Sequence, residues 1–152
     1  MIELVVQNVS QSAAQCPDEN QFKQWAEVVR ADGEVCLRIV DEPEMSQLNQ
    51  QYRGKQGPTN VLSFPLALPP GIPVNHLGDI VVCAPVVFKE ARDQGKAAVA
   101  HWAHMMIHGL LHLLGHDHIE ESEAQQMEQI EIESLKTLGF DNPYAAMPAG
   151  QQ

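Results

Sequence analysis

The stretch DIVVCAPVVFKEARDQG, Asp79 to Gly95, contains the change of pattern that decides the fold. Asp79 to Cys83 is short, apolar and β-branched, the composition of a strand. From about Pro85 the pattern turns helical and stays so: Pro85 to Gln94, Lys96 to Leu114, then Ile119 to Leu138. Upstream, strands and helices alternate. Ile2 to Val9 reads as a strand. Pro17-Asp18 opens a helix with Phe22, Trp25, Ala26 and Val29 on one face. Asp32-Gly33 is a turn, and Glu34 to Val40 a second strand. Asp41-Glu42-Pro43 leads into a short helix with Met45, Leu48 and Tyr52 as its apolar positions. Gly54 to Pro58 is a loop, Val61 to Pro65 a third strand, and LPPGIPVNHLG, Leu68 to Gly78, a Pro/Gly loop. Asp79 to Cys83 is then the fourth strand. The expectation is an α+β domain, a small sheet covered by about five helices.

The totals agree with one domain. A chain of 152 residues can bury a real core. Its hydrophobic share is 44%, with only 5% aromatic, so that core is mostly aliphatic. The formal charge of −11 argues against a general nucleic-acid binder, which is normally basic. The charge is uneven, however. Asp117, Glu120, Glu121, Glu123, Glu128, Glu131, Glu133 and Asp141 face Lys136 alone in the last part of the chain, whereas Arg30, Arg38, Arg53, Lys55, Lys89, Arg92 and Lys96 lie earlier. Cys16, Cys36 and Cys83 form no CxxC pair, and Cys36 and Cys83 sit in apolar runs, as buried small hydrophobes do. A reducing, cytoplasmic setting is expected. The N-terminus does not have the form of a signal peptide, and no apolar run approaches membrane-spanning length. The small, polar stretch 145–152 is expected to fray, leaving 1–144 as the domain.

Working outward on the other side, HGLLHLLGHDH, His108 to His118, carries the chemistry. His108 and His112 are four apart and share a helix face. Gly115 can end that helix, and His118 follows the stop, where a returning chain would bring it to the first two. Three neutral imidazoles around one point, with a fourth position open, are the arrangement of catalytic zinc. Six of the seven histidines lie between His101 and His118, so scatter is a poor account. His101 and His104 are on roughly the same face but beyond one ion's reach. They suit helix packing or a place behind the ligands. His116 is a loop residue, a spare ligand or a proton shuttle.

The spacing His-x3-His-x2-Gly-x2-His is also that of metzincin proteases, which keep a general-base Glu after the first His. Here that position is Gly109. The geometry is present, but the carboxylate that would serve peptide hydrolysis is missing. A phosphodiester asks instead for positive charge at the phosphoryl group, which a metal and an Arg can supply. Arg53, beside the polar loop Gly54 to Pro58, is the candidate clamp, since a guanidinium grips phosphate oxygens in a bidentate fashion. An Arg so placed is more often an ordinary solvated residue. Lys55, a candidate substrate contact, has the same two readings.

LNQQYRGKQGPTNVLSFP (Leu48 to Pro65), LGDIVVCAP (Leu77 to Pro85), HGLLHLLGHDH and the closing LGFDNPY (Leu138 to Tyr144) together resemble the YbeY family, metal-dependent endoribonucleases of bacterial rRNA maturation. The resemblance runs from about Asp41 onward. It implies a small mixed four-stranded sheet packed against helices, with the metal site at the end of a central helix. It implies one Zn²⁺ held by His108, His112 and His118, and Arg53 as the essential cation of the cleft. The implied substrate is single-stranded RNA, with roles in small-subunit rRNA 3′-end maturation and ribosome quality control, and with ribosomal components and an assembly GTPase as partners. His116 departs from the family's usual Tyr. Asp79 matches the family's Gly-Asp pair without an assigned role.

Two other functions compete with the endoribonuclease. A zinc metallopeptidase is opposed by Gly109. A non-catalytic assembly factor braced by zinc is opposed by the three-His ligand set, because structural zinc normally has four ligands.

Overall fold

Alternation along one strand places the core. In β4, His76–Cys83, Ile80 and Val82 face one side of the sheet while Val81 and Cys83 face the other. The structure, a computed structural model, describes residues 1–66, 75–116 and 121–144. The expected tail at 145–152, most of the Pro/Gly loop and His118 lie outside the described residues.

The remaining elements are β1 (Ile2–Asn8), α1 (Glu19–Ala26), β2 (Gly33–Val40), α2 (Glu42–Arg53), β3 (Val61–Pro65), α3 (Ala84–Asp93), α4 (Ala98–Leu113) and α5 (Glu121–Thr137). A 3₁₀ turn, Ala13–Gln15, precedes α1. The strands run in the order β1-β2-β4-β3, with β1, β2 and β4 parallel and β3 antiparallel to β4. This is the mixed four-stranded sheet with five helices that the sequence suggested. Strand β3 is therefore an edge.

One face of the sheet supports the main core. Val35, Leu37, Ile39 and Ile80 are fully buried there beneath α1 and α4. Each such side chain contributes roughly 1.5–3 kcal/mol relative to exposure. Helix α4 is buried over most of its surface, as a mostly apolar helix between a sheet and other helices must be. The other face carries a smaller cluster of Val40, Met45, Leu62, Val81 and Cys83, with Met45 supplied by α2. Capping sets the α1 entry: Asp18 Oδ1 accepts from Gln21 N at 2.8 Å.

One boundary differs from the sequence reading. Strand β4 begins at His76, three residues before Asp79, because His76 and Gly78 take up ladder positions opposite Glu34 and Val35 of β2. Gly78 interrupts the side-chain alternation that would have revealed this. Helix α2 runs through Arg53 and ends beside the loop expected at Gly54 to Pro58. Gly54, left-handed at φ 65°, is the helix stop. Tyr52 is 60% exposed and packs its ring 5.0 Å from that of Phe64, so it is not a core position.

Candidate active site

Helix α4 carries His101, His104, His108 and His112 along one face. Their ring centroids are 6.1, 6.1 and 4.6 Å apart in sequence order, so His108 and His112 form the closest pair. The helix lies against β3 at Gly109, where a Cβ would stand 3.0 Å from Ile80 Cγ2 and 3.4 Å from Val61 Cγ2. Ser63 of β3 ties the two elements by donating its hydroxyl to Gly109 O at 2.9 Å. The outcome is a cleft of about 660 Å³ between the end of α2, the start of β3 and the end of α4.

Arg53, His108, His112 and His116 all line this cleft, together with the polar Asn60 and Ser63. Two segments distant in sequence thus supply the metal-ligand candidates and the cation that the sequence analysis singled out, and β3 lines the cleft between them. Lys55 is exposed and is not among the lining residues. His118 lies outside the described residues.

Behind the cleft is a network that sequence reasoning missed. Glu131 of α5 is fully buried, and its carboxylate collects three hydrogen bonds. His108 Nδ1 donates to Oε2 at 2.9 Å, His104 Nε2 to Oε1 at 2.6 Å, and Tyr144 Oη to Oε1 at 2.5 Å. Burial pushes this carboxyl's pKa up, but the bonds from His104, His108 and Tyr144 outweigh it and hold the pKa at about 2. The Tyr144 phenol is pushed up, first by burial and then by the adjacent carboxylate. A sequence signal existed: Glu131 is a charge on the α5 stripe Met127, Glu131, Leu135, whose members are all buried. Spacing by four places all three on the packed face.

A second carboxylate serves His101, which is 3% exposed and donates from Nε2 to Glu90 Oε1 at 2.9 Å. Burial lowers the pKa of this imidazole more than Glu90 raises it. Asn60 at the cleft wall donates to the same Glu90 carboxylate and accepts from Val61 N.

The donor chemistry fits a divalent metal of zinc type, which takes imidazole nitrogen readily. An ionised carboxylate can only accept, so a neutral His108 carries its proton on Nδ1 and its lone pair on Nε2. That is the tautomer a metal-binding imidazole needs. The ligand atoms of His104, His108 and Glu131 also lie within 4.8 Å of one another, so this cluster too could hold an ion.

Residues 3–139 match the family model described as Endoribonuclease YbeY. The Endoribonuclease YbeY of Methylococcus capsulatus is 56% identical over 146 residues, covering 95% of this chain and 96% of its own length. The solution structure of TM1509 from Thermotoga maritima is similar over the full length of both chains, with 28% identity and a TM-score of 0.57.

Proposed function

The chain belongs to the YbeY family, and from that premise we propose a metal-dependent endoribonuclease of rRNA processing that cuts single-stranded RNA in small-subunit 3′-end maturation and ribosome quality control. The observation that carries this reading is the single cleft lined by Arg53, His108 and His112. Residues 1–144 are the catalytic domain in this reading.

One Zn²⁺ would be held by His108, His112 and His118. Bound there, it would supply Lewis acidity and two positive charges at the scissile phosphodiester. The chain's own groups do the rest. Arg53 donates a pair of hydrogen bonds to phosphate oxygens and stabilises the charge that builds up on them. Asn60, braced by Glu90 and by the backbone of β3, offers a fixed polar wall to the strand. Lys55, outside the cleft lining, serves the RNA further along its backbone.

Among the described residues a peptidase finds no base here. Gly109 is buried against Ile80, and Glu131 is buried behind His108 with its oxygens already engaged. The net charge of −11 makes free RNA a weak ligand, so targeting falls to ribosomal components and an assembly GTPase. Among the described residues no helix is long and apolar enough to cross a membrane. The cysteines are all free, which suits a cytoplasmic setting.

The test is metal analysis beside RNA cleavage for wild type, His112→Ala and Arg53→Ala, with and without chelator. Wild type should contain metal and cut RNA. His112→Ala should lose both, and Arg53→Ala should lose cleavage while keeping metal. Equal cleavage by all three would point to a contaminating nuclease and sink the reading.

A further inference from the structure

We propose that Glu131 is a positioning residue: it holds His108 as the Nδ1–H tautomer so that Nε2 is the metal-binding atom, and His104 and Tyr144 hold Glu131 in place for that task. This rests on the metal-dependent reading of the cleft.

A carboxylate at 0% exposure loses several kcal/mol of hydration unless donors replace the water. Glu131 has three, two on α4 and one on the segment after α5. Each partner must therefore be a donor toward it. For His108 this fixes the tautomer. For His104 it places the proton on Nε2, which also lies 3.1 Å from Tyr144 Oη. The other nitrogen of His104, Nδ1, is buried with no hydrogen-bond partner among the described residues, which suits a bare lone pair better than a second N–H.

The same geometry separates orienting from ligation. Two ligands about 2.0–2.1 Å from a tetrahedral ion stand roughly 3.3 Å apart. His104 Nε2 and Glu131 Oε1 are 2.6 Å apart, a charge-assisted hydrogen bond with no room for an ion between them. The cluster of His104, His108 and Glu131 can accept a metal only by breaking bonds that satisfy a buried charge. As it stands, it directs His108 toward the cleft, makes its imidazole a stronger donor, and leaves ligation to the cleft side. Tyr144 then has a specific task for a residue so near the end of the domain: it closes the third side of the carboxylate.

The experiment measures Zn²⁺ affinity by chelator competition, and the His108 tautomer by ¹⁵N imidazole shifts of the metal-free protein. Variants are Glu131→Gln, Tyr144→Phe and His112→Ala, each checked for folding by circular dichroism. Glu131→Gln should weaken Zn²⁺ binding about 10–100-fold and lose the single Nδ1–H state of His108. Tyr144→Phe should shift both readouts the same way by less, and it carries the test if Glu131→Gln does not fold. Unchanged affinity and tautomer in the folded variants overturn the proposal. So does unchanged affinity in His112→Ala with binding abolished in Glu131→Gln, because the ion would then sit in the buried cluster. If the affinity and tautomer shift as expected but wild type cuts no RNA, the positioning role stands and only the nuclease assignment falls.

Discussion

Gly109 and Ile80 meet so closely that a β-carbon on residue 109 would lie 3.0 Å from Ile80 Cγ2. The position where a metzincin keeps its catalytic Glu is here the contact between the central helix and the sheet. Gly109 therefore does two things: it leaves the peptidase base out and lets α4 approach β3 closely enough for Ser63 to bond its carbonyl.

The first prediction concerns that contact. Gly109→Glu should destabilise the fold by about 3 kcal/mol or more, since it overpacks a filled contact and buries a charge. Gly109→Ala should cost far less, because gained helix propensity of about 1 kcal/mol offsets part of the crowding. Urea unfolding checks both. Peptidase activity gained by a stably folded Gly109→Glu would show that the protease-like spacing needed only its base.

Arg53 and Lys55 should separate cleanly in a cleavage assay. Arg53→Lys keeps the charge but loses the planar fork, and kcat should fall by about a hundredfold. Lys55, exposed and outside the cleft lining, should give a rise in KM with little change in kcat when replaced by Ala. Neither change should move stability by more than about 0.5 kcal/mol, as both residues are exposed. A wild-type rate for Arg53→Lys would remove the clamp from the mechanism.

Naked single-stranded RNA should bind weakly and with shallow salt dependence. With the metal and Arg53 neutralising two or three phosphates, the slope of log Kobs against log salt should lie between about −1.4 and −2. Filter binding or anisotropy across a salt series measures it. Nanomolar affinity at physiological salt would contradict the need for a ribosomal partner.

His76 should make stability depend on pH above the range of acid denaturation. Its Nε2 lies 3.0 Å from Asp79 and its Nδ1 3.1 Å from Glu34 across the β2–β4 ladder. The bond to Asp79 raises the imidazole's pKa above the ordinary 6.5, burial opposes this, and Glu34 adds to it. A base whose folded pKa is raised stabilises fully below its unfolded pKa and loses that contribution as pH rises through the folded one. The urea midpoint should therefore decline as pH climbs past 6.5, and His76→Gln should flatten the decline. An identical slope in the variant would assign it to another group.

The legible features were those written in local periodicity. The strand-to-helix change after Cys83, the helical run of α4 and the i, i+4 pair His108/His112 all follow from how side chains repeat along a regular backbone. Boundaries were legible where a Pro, Gly or capping residue marked them, and not at His76, where pairing with β2 extends a strand that Gly78 conceals.

What the sequence determined by itself was the element order, the central helix and the i, i+4 histidine pair on it, because each depends on neighbours within a turn or two. What only the tertiary structure decided was who faces whom. Arg53 reaches the histidines because α2 ends beside β3, Gly109 faces Ile80 because the helix packs on the sheet, and Glu131 comes to lie behind His108 because α5 buries its Met127–Leu135 stripe. The physical reason is one of range: helix and strand periods act over a few residues, whereas a hydrogen bond to a buried carboxylate joins residues that only packing brings together.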